Sequence, residues 1–90
     1  MKTLRKGLKL LTEVGWCRGR GKKYEGRKIV AYCAFGALNF SWPARRVVEQ
    51  AAGIDSLVPW NDRRDRKKTQ VIAAFKKAIA YRQKQLEAAE

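Results

Sequence analysis

Four glycines within twelve residues, Gly15, Gly19, Gly21 and Gly26, bar a stable helix from the stretch GWCRGRGKKYEGRK. Residues 15–32 must therefore begin as a loop, or as an irregular hairpin turning near Glu25-Gly26. The rest of the chain is arranged around this break. Before it, Leu4, Leu8, Leu11 and Val14 share one face of a helix over residues 1–14, with Lys2, Arg5, Lys6 and Lys9 mostly off that face. Such a helix can lie on a membrane surface or pack its leucines into a core; packing is the reading taken. After the break comes the longest apolar run, IVAYCAFGAL from Ile29 to Leu38. It is far short of the ~20 residues a membrane-spanning helix requires.

Ile29, Val30 and Tyr32 favour a strand. Cys33, Ala34, Gly36, Ala37 and Leu38 suit a tightly packed helix over 33–40. Ser41 is the expected N-cap of a helix at 43–52, with Pro43 in its first turn and Gly53 at its end. Val47, Val48, Ala51 and Ala52 would face inward, and Arg45, Arg46, Glu49 and Gln50 outward. VVEQAAGIDSLV looks like the opening of a helix-turn-helix. Its second helix would have to cross Pro59, so residues 54–65 are expected as a loop instead. The last helix spans 66–88, with Val71, Ile72, Phe75, Ala78, Ile79 and Leu86 as its stripe. The expected fold is mainly α: one small domain of three to four helices, with a Gly-rich basic loop or short β-hairpin between the first and second. Trp42 or Tyr81, if exposed, could belong to a dimer face.

Charge bounds the function. The ninety residues hold 21 Lys+Arg against 8 Asp+Glu and no His, a net charge of +13. A small domain so charged repels itself and attracts polyanions. The candidate contacts are Arg18, Arg20, Lys22, Lys23, Arg27 and Lys28 in the first cluster, and Arg63, Arg64, Arg66, Lys67 and Lys68 in the second. Lys2–Lys9 could extend them. Basic side chains interleaved with Trp16 and Tyr24 suit phosphate contact with base stacking, although Trp16 is read as a core residue. The expected partner is nucleic acid or a nucleoprotein complex; an acidic protein surface is the alternative.

Other chemistries find little support. There is no His to activate Cys33 as a nucleophile, no paired-carboxylate cluster and no phosphate-loop motif. No catalytic residue, metal or cofactor is expected: Cys17 and Cys33 alone cannot complete a zinc site. Lys9 breaks the apolar stretch of MKTLRKGLKLL, so no signal peptide is read and a cytoplasmic protein is expected. The two cysteines are then thiols, although a hairpin turning at Glu25 would place them opposite each other and permit a disulfide.

The stretch Trp60-Asn61-Asp62 joins an apolar anchor to two capping side chains just ahead of the second basic cluster. Trp60 is expected to plug the core, and Asn61 and Asp62 to tie down the loop and cap the last helix. The tripeptide would then fix where Arg63–Lys68 point. The alternative makes Asn61 and Asp62, with Cys33, the polar centre of a small nucleotide-binding protein or enzyme.

Gly15-Trp16, then Cys33-Ala34-Phe35-Gly36-Ala37-Leu38, then Trp60-Asn61-Asp62 with Arg66 and Val71 resemble a family of uncharacterised proteins. That family is a domain of unknown function found in bacterial and phage genomes. The resemblance covers roughly residues 8–82. It rests on Trp16, Cys33, Gly36, Trp60, Asn61 and Asp62, and it implies a small helical domain with no assigned activity. Where the family pattern places a helix-capping Thr, this chain has Lys67, so the cap would pass to Asp62 or Asp65. Occurrence in phages implies an accessory protein, such as a counter-defence inhibitor acting on a nucleoprotein.

Overall fold

The computed structural model describes residues 2–88. Their order is α1 (Lys2–Glu13), β1 (Lys22–Glu25), β2 (Lys28–Tyr32), α2 (Ala34–Ala37), α3 (Trp42–Ala52), α4 (Leu57–Asp62) and α5 (Lys68–Ala88). The fold is mostly helical with a short antiparallel hairpin after the first helix, as the sequence implied. It holds five helices among the described residues rather than three or four.

α5 is the central beam. Val71, Ala74, Phe75 and Ala78 recur at helical spacing and are buried between α1 and α3. α1 meets them through Leu4, Gly7 and Leu11. A Cβ on Gly7 would lie 2.8 Å from the Phe75 ring and 3.0 Å from the Ala37 carbonyl, so the missing side chain is what lets these elements close up. α1 ends at Glu13, which leaves Val14 exposed and outside the expected stripe. The stripe of α5 also stops short: every described residue from Gln83 onward, Leu86 included, is exposed.

The glycine-rich stretch forms the hairpin. Lys22 pairs with Tyr32 and Glu25 with Lys28, with a bulge between Lys23 and Tyr24. The turn residue Gly26 has φ 62°, a left-handed conformation that favours glycine. Ahead of β1, the chain at Gly15–Cys17 runs beside the end of β2. Tyr32 donates its N–H to Gly15 O and accepts from Cys17 N, at 2.9 and 3.0 Å.

Three expectations about local structure are corrected. The helix expected over 33–40 is a single turn. Cys33 is its N-cap, its Sγ accepting from Gly36 N at 3.2 Å. The chain then leaves the helix through Asn39 and Phe40, at φ 52° and 57°. The expected loop at 54–65 contains α4. Pro59 does not break this helix, because it is the third residue, where an N–H would have no acceptor within the helix. Nor do Asp62 or Asp65 cap α5. Gln70 reaches back, its Oε1 accepting from Lys67 N at 2.9 Å, which is half of a capping box.

α3 carries the fourth correction. Ser41 caps it as expected, Oγ accepting from Ala44 N at 3.3 Å, and Gly53 at φ 67° ends it. Arg45 and Glu49, read as outward, are buried as an ion pair 3.1 Å apart with side chains only 11% exposed. Arg45 lies 4.9 Å from the Phe35 ring and 4.4 Å from the Trp42 ring and donates to Ser56 Oγ. Glu49 Oε2 also accepts from Leu57 N at 2.7 Å. The pair thus satisfies both of its charged groups and caps α4.

Of the glycines, Gly36 has the least room for a side chain. A Cβ there would collide with the Gly21 backbone carbonyl, and neither segment is a flexible side-chain tip. Gly36→Ala should destabilise the protein by about 2–3 kcal/mol, lowering the thermal midpoint by roughly 10–20 °C. Gly19→Ala, at φ 78° with nothing within 4 Å of the new Cβ, should cost only about 1 kcal/mol. Melting curves of the two variants measure the difference.

Candidate nucleic-acid interface

The two basic clusters are held together by polar contacts centred on Asn61, which is fully buried. Its Oδ1 accepts from Trp16 Nε1 at 2.7 Å and from Ala34 N at 2.9 Å. Its Nδ2 donates to Cys17 O at 3.1 Å and to Asp62 Oδ1 at 3.0 Å. The carboxamide's two acceptor positions and two N–H groups are all engaged. It thereby ties the glycine-rich loop, the start of α2 and α4 to one point. Asp62 Oδ1 also accepts from Gly19 N at 2.9 Å. Trp60 is half-buried against the core as expected. Asn61 and Asp62 tie down the loop as expected, but it is the loop at 16–19 that they hold.

Arg18 completes the junction. Its Nε donates to Arg63 O at 2.9 Å and its guanidinium reaches the carbonyls of Arg64 and Arg66. The same group lies 4.7 Å from the Trp16 ring centroid. Arg66 behaves alike: its Nε donates to Trp60 O at 2.9 Å and its guanidinium stacks 4.0 Å from the Trp60 ring. These two arginines, grouped by sequence with the ligand contacts, are committed to the fold. Arg18 joins segments more than forty residues apart, and Arg66 braces the second segment against Trp60.

The remaining candidates lie just ahead of β1, on the hairpin, in the loop after α4 and at the start of α5. Arg20, Lys23, Arg27, Lys28, Arg64, Lys67 and Lys68 are exposed. Among the described residues none of them has a carboxylate partner. Arg63 pairs with Asp65 at 3.3 Å, an exposed contact worth little. Lys22 is half-buried, with Nζ 5.8 Å from the Phe40 ring. Beside Arg20 and Lys23, an open recess reaches down to Trp16 and Cys17. Among the described residues no three His, Cys, Asp or Glu side chains gather as a metal set.

The sequence reading missed the Arg45–Glu49 pair. Its one visible signal is Trp42 three residues ahead of Arg45 on the same helical face. It also missed Phe40 as an exposed aromatic; Trp42 and Tyr81, raised there as exposed candidates, are exposed.

Both cysteines are free thiols. Burial pushes the Cys33 thiol above its ordinary value; burial, then Cys33, pushes Cys17 up as well.

The match to known families runs over residues 1–81. The chain belongs to a family of unknown function, DUF6197. No match to it is found among curated proteins or among solved structures. No helix among the described residues is long and apolar enough to cross a membrane.

Two measurements check this geometry. Asn61→Ala leaves the Trp16 indole, the Ala34 amide and the Cys17 carbonyl without their partner. It should cost about 2–4 kcal/mol in denaturant unfolding, against about 1 kcal/mol for Asp62→Ala, which frees chiefly the Gly19 amide. The thiols predict a pH effect. Raised folded-state values keep them protonated while unfolded thiols ionise near 9.0. Their contribution is therefore whole below pH 9 and is lost as pH rises through the folded values. The Cys17→Ser/Cys33→Ser double variant should lose less stability than the parent between pH 8 and 10.

Proposed function

We propose that this protein is a non-enzymatic binder of polyanion, acting on nucleic acid or a nucleoprotein complex. The observation that carries the reading is the Arg18 clasp. By bonding the carbonyls of Arg63, Arg64 and Arg66, it merges two basic clusters into one face with a fixed backbone. Arg20, Lys23, Arg27, Lys28, Arg64, Lys67 and Lys68 project from that face as phosphate contacts, while Arg18 and Arg66 position them. A surface of mobile lysines and arginines on a rigid base suits backbone contact and sequence-tolerant binding.

A centre at Asn61 and Asp62, for a nucleotide-binding protein or enzyme, has less support. Asn61 spends all its polar capacity within the fold. The excess of positive charge, +13 over ninety residues, and the resemblance to phage-borne proteins fit an accessory role in the cytoplasm. A counter-defence inhibitor that docks on a nucleoprotein would have such a surface.

A mobility-shift series tests the reading. With six to ten phosphate contacts, affinity for DNA or RNA should fall roughly 10³–10⁵-fold between 50 and 200 mM salt. The triple variant Arg64→Glu/Lys67→Glu/Lys68→Glu should lose most binding at 50 mM salt while its melting curve stays near that of the parent. An absence of binding to either nucleic acid at 50 mM salt overturns the nucleic-acid reading. Capture from nuclease-treated lysate would then point to the acidic protein surface as the partner.

A further inference from the structure

We propose that Phe40 and Trp42 form a base-stacking platform that directs the polyanion face to single-stranded nucleic acid. This rests on the binding reading above and names its ligand class.

Four observations carry it. First, the two rings are far more exposed than their size predicts, 48% for Phe40 and 60% for Trp42. They are not scattered. Phe35 meets Phe40 edge-on at 5.4 Å and Trp42 at 5.5 Å, so three aromatic rings form one patch.

Second, the backbone is held in an unfavourable conformation to present them. Asn39 and Phe40 are both left-handed, at φ 52° and 57°. A bulky aromatic rarely adopts that region, and such strain persists where the surroundings enforce it.

Third, each ring is pre-set. Phe40 rests on Gly21, where an added Cβ would lie 2.6 Å from the ring. Trp42 has the Arg45 guanidinium 4.4 Å from its ring centroid. Arg45 is itself fixed by Glu49 and Ser56. A rigid exposed ring loses little freedom when a base stacks on it.

Fourth, cations flank the patch. Arg20 and Phe40 line the same cleft of about 230 Å³, with Phe35 and Val58. Lys22 reaches the Phe40 ring and also lines a groove with Lys2 and Lys6 of α1. A strand passing over Phe40 therefore meets positive charge on the side of the glycine-rich loop and on the side of α1. Aromatic rings within a basic track are the arrangement by which sequence-tolerant proteins hold single strands, because every base offers a π-face. In a duplex those faces are stacked inside and cannot reach Phe40 or Trp42. The patch thus discriminates between the two forms, while the cations do not.

The test compares a 20-nucleotide single strand with a duplex of the same length by fluorescence anisotropy at fixed salt. The parent should bind the single strand more tightly. Trp42→Ala and Phe40→Ala should each weaken single-strand binding roughly ten- to a hundredfold and leave duplex binding within about twofold. Trp42→Phe should restore most of the loss, which separates stacking from damage to α3. Tyr81→Ala, an exposed ring that is not one of the three contacting rings of the patch, should change neither. Equal binding of both forms by the parent overturns the proposal but leaves the polyanion reading standing. So does an unchanged or equal effect of the aromatic variants on the two. A dimer that Trp42→Ala dissolves would also overturn it, since the patch would then be covered by a second copy. Failure of the parent to bind either form overturns both readings.

Discussion

A single buried carboxamide, that of Asn61, holds three separate segments in register. Ahead of β1, residues 15–21 have no helix or strand of their own, and their glycines supply no side chains to pack. Ordering it costs conformational entropy that a ninety-residue domain can ill offset with a small core. Asn61 supplies the order through polar contacts instead: the Trp16 indole and the Ala34 amide meet its oxygen, and the Cys17 carbonyl meets its N–H. In a site shielded from water these bonds are strong. Each group would be costly to leave unpaired, so the arrangement tolerates no partial version.

The arginines extend the same logic to a chain that repels itself. The protein has three tryptophans, and a guanidinium lies against each: Arg18 on Trp16, Arg45 on Trp42, Arg66 on Trp60. A guanidinium can stack flat and still direct its N–H groups sideways, here to backbone carbonyls or to Glu49 and Ser56. An ammonium cannot do both. The division of labour follows from this chemistry. Arginines beside tryptophans become structural, whereas the described lysines other than half-buried Lys22 stay exposed.

Much of this was legible in the sequence, and what was not has a common cause. The glycines announced the hairpin, Ser41 and Gly53 bounded α3, and the 3.6-residue spacing in α5 marked its buried stripe. These signals are local. Asn61 was recognisable as a tether, but its partners Trp16 and Cys17 lie more than forty residues away, and no spacing rule reaches that far. Arg45 was misread because a charged pair four residues apart normally faces water. Only the apposition of Phe35 and Trp42 makes its burial favourable. Pro59 argued for a loop because helix interiors exclude it, yet a six-residue helix has almost no interior. Among the basic residues, composition could not separate Arg18 and Arg66 from their neighbours, since the difference lies in which carbonyls each can reach.

The same contacts that order the loop also set the aromatic patch, so fold and recognition are coupled through α2. Ala34 donates to Asn61, Cys33 donates to Gly21 O, and Gly36 abuts the Gly21 backbone. This one-turn helix is therefore fixed at its start and along its flank. The chain leaving it has no room to extend the helix, and it turns through Asn39 and Phe40 so that Phe40 lands on Gly21. The left-handed Phe40 and the close approach of Gly36 to Gly21 thus meet at the same glycine. The lysines and arginines proposed as phosphate contacts, by contrast, are exposed and emerge from loops, the hairpin and the start of α5. Charge on the face can thus vary with little effect on folding, whereas the rings of the patch cannot be moved without disturbing the packing beneath them.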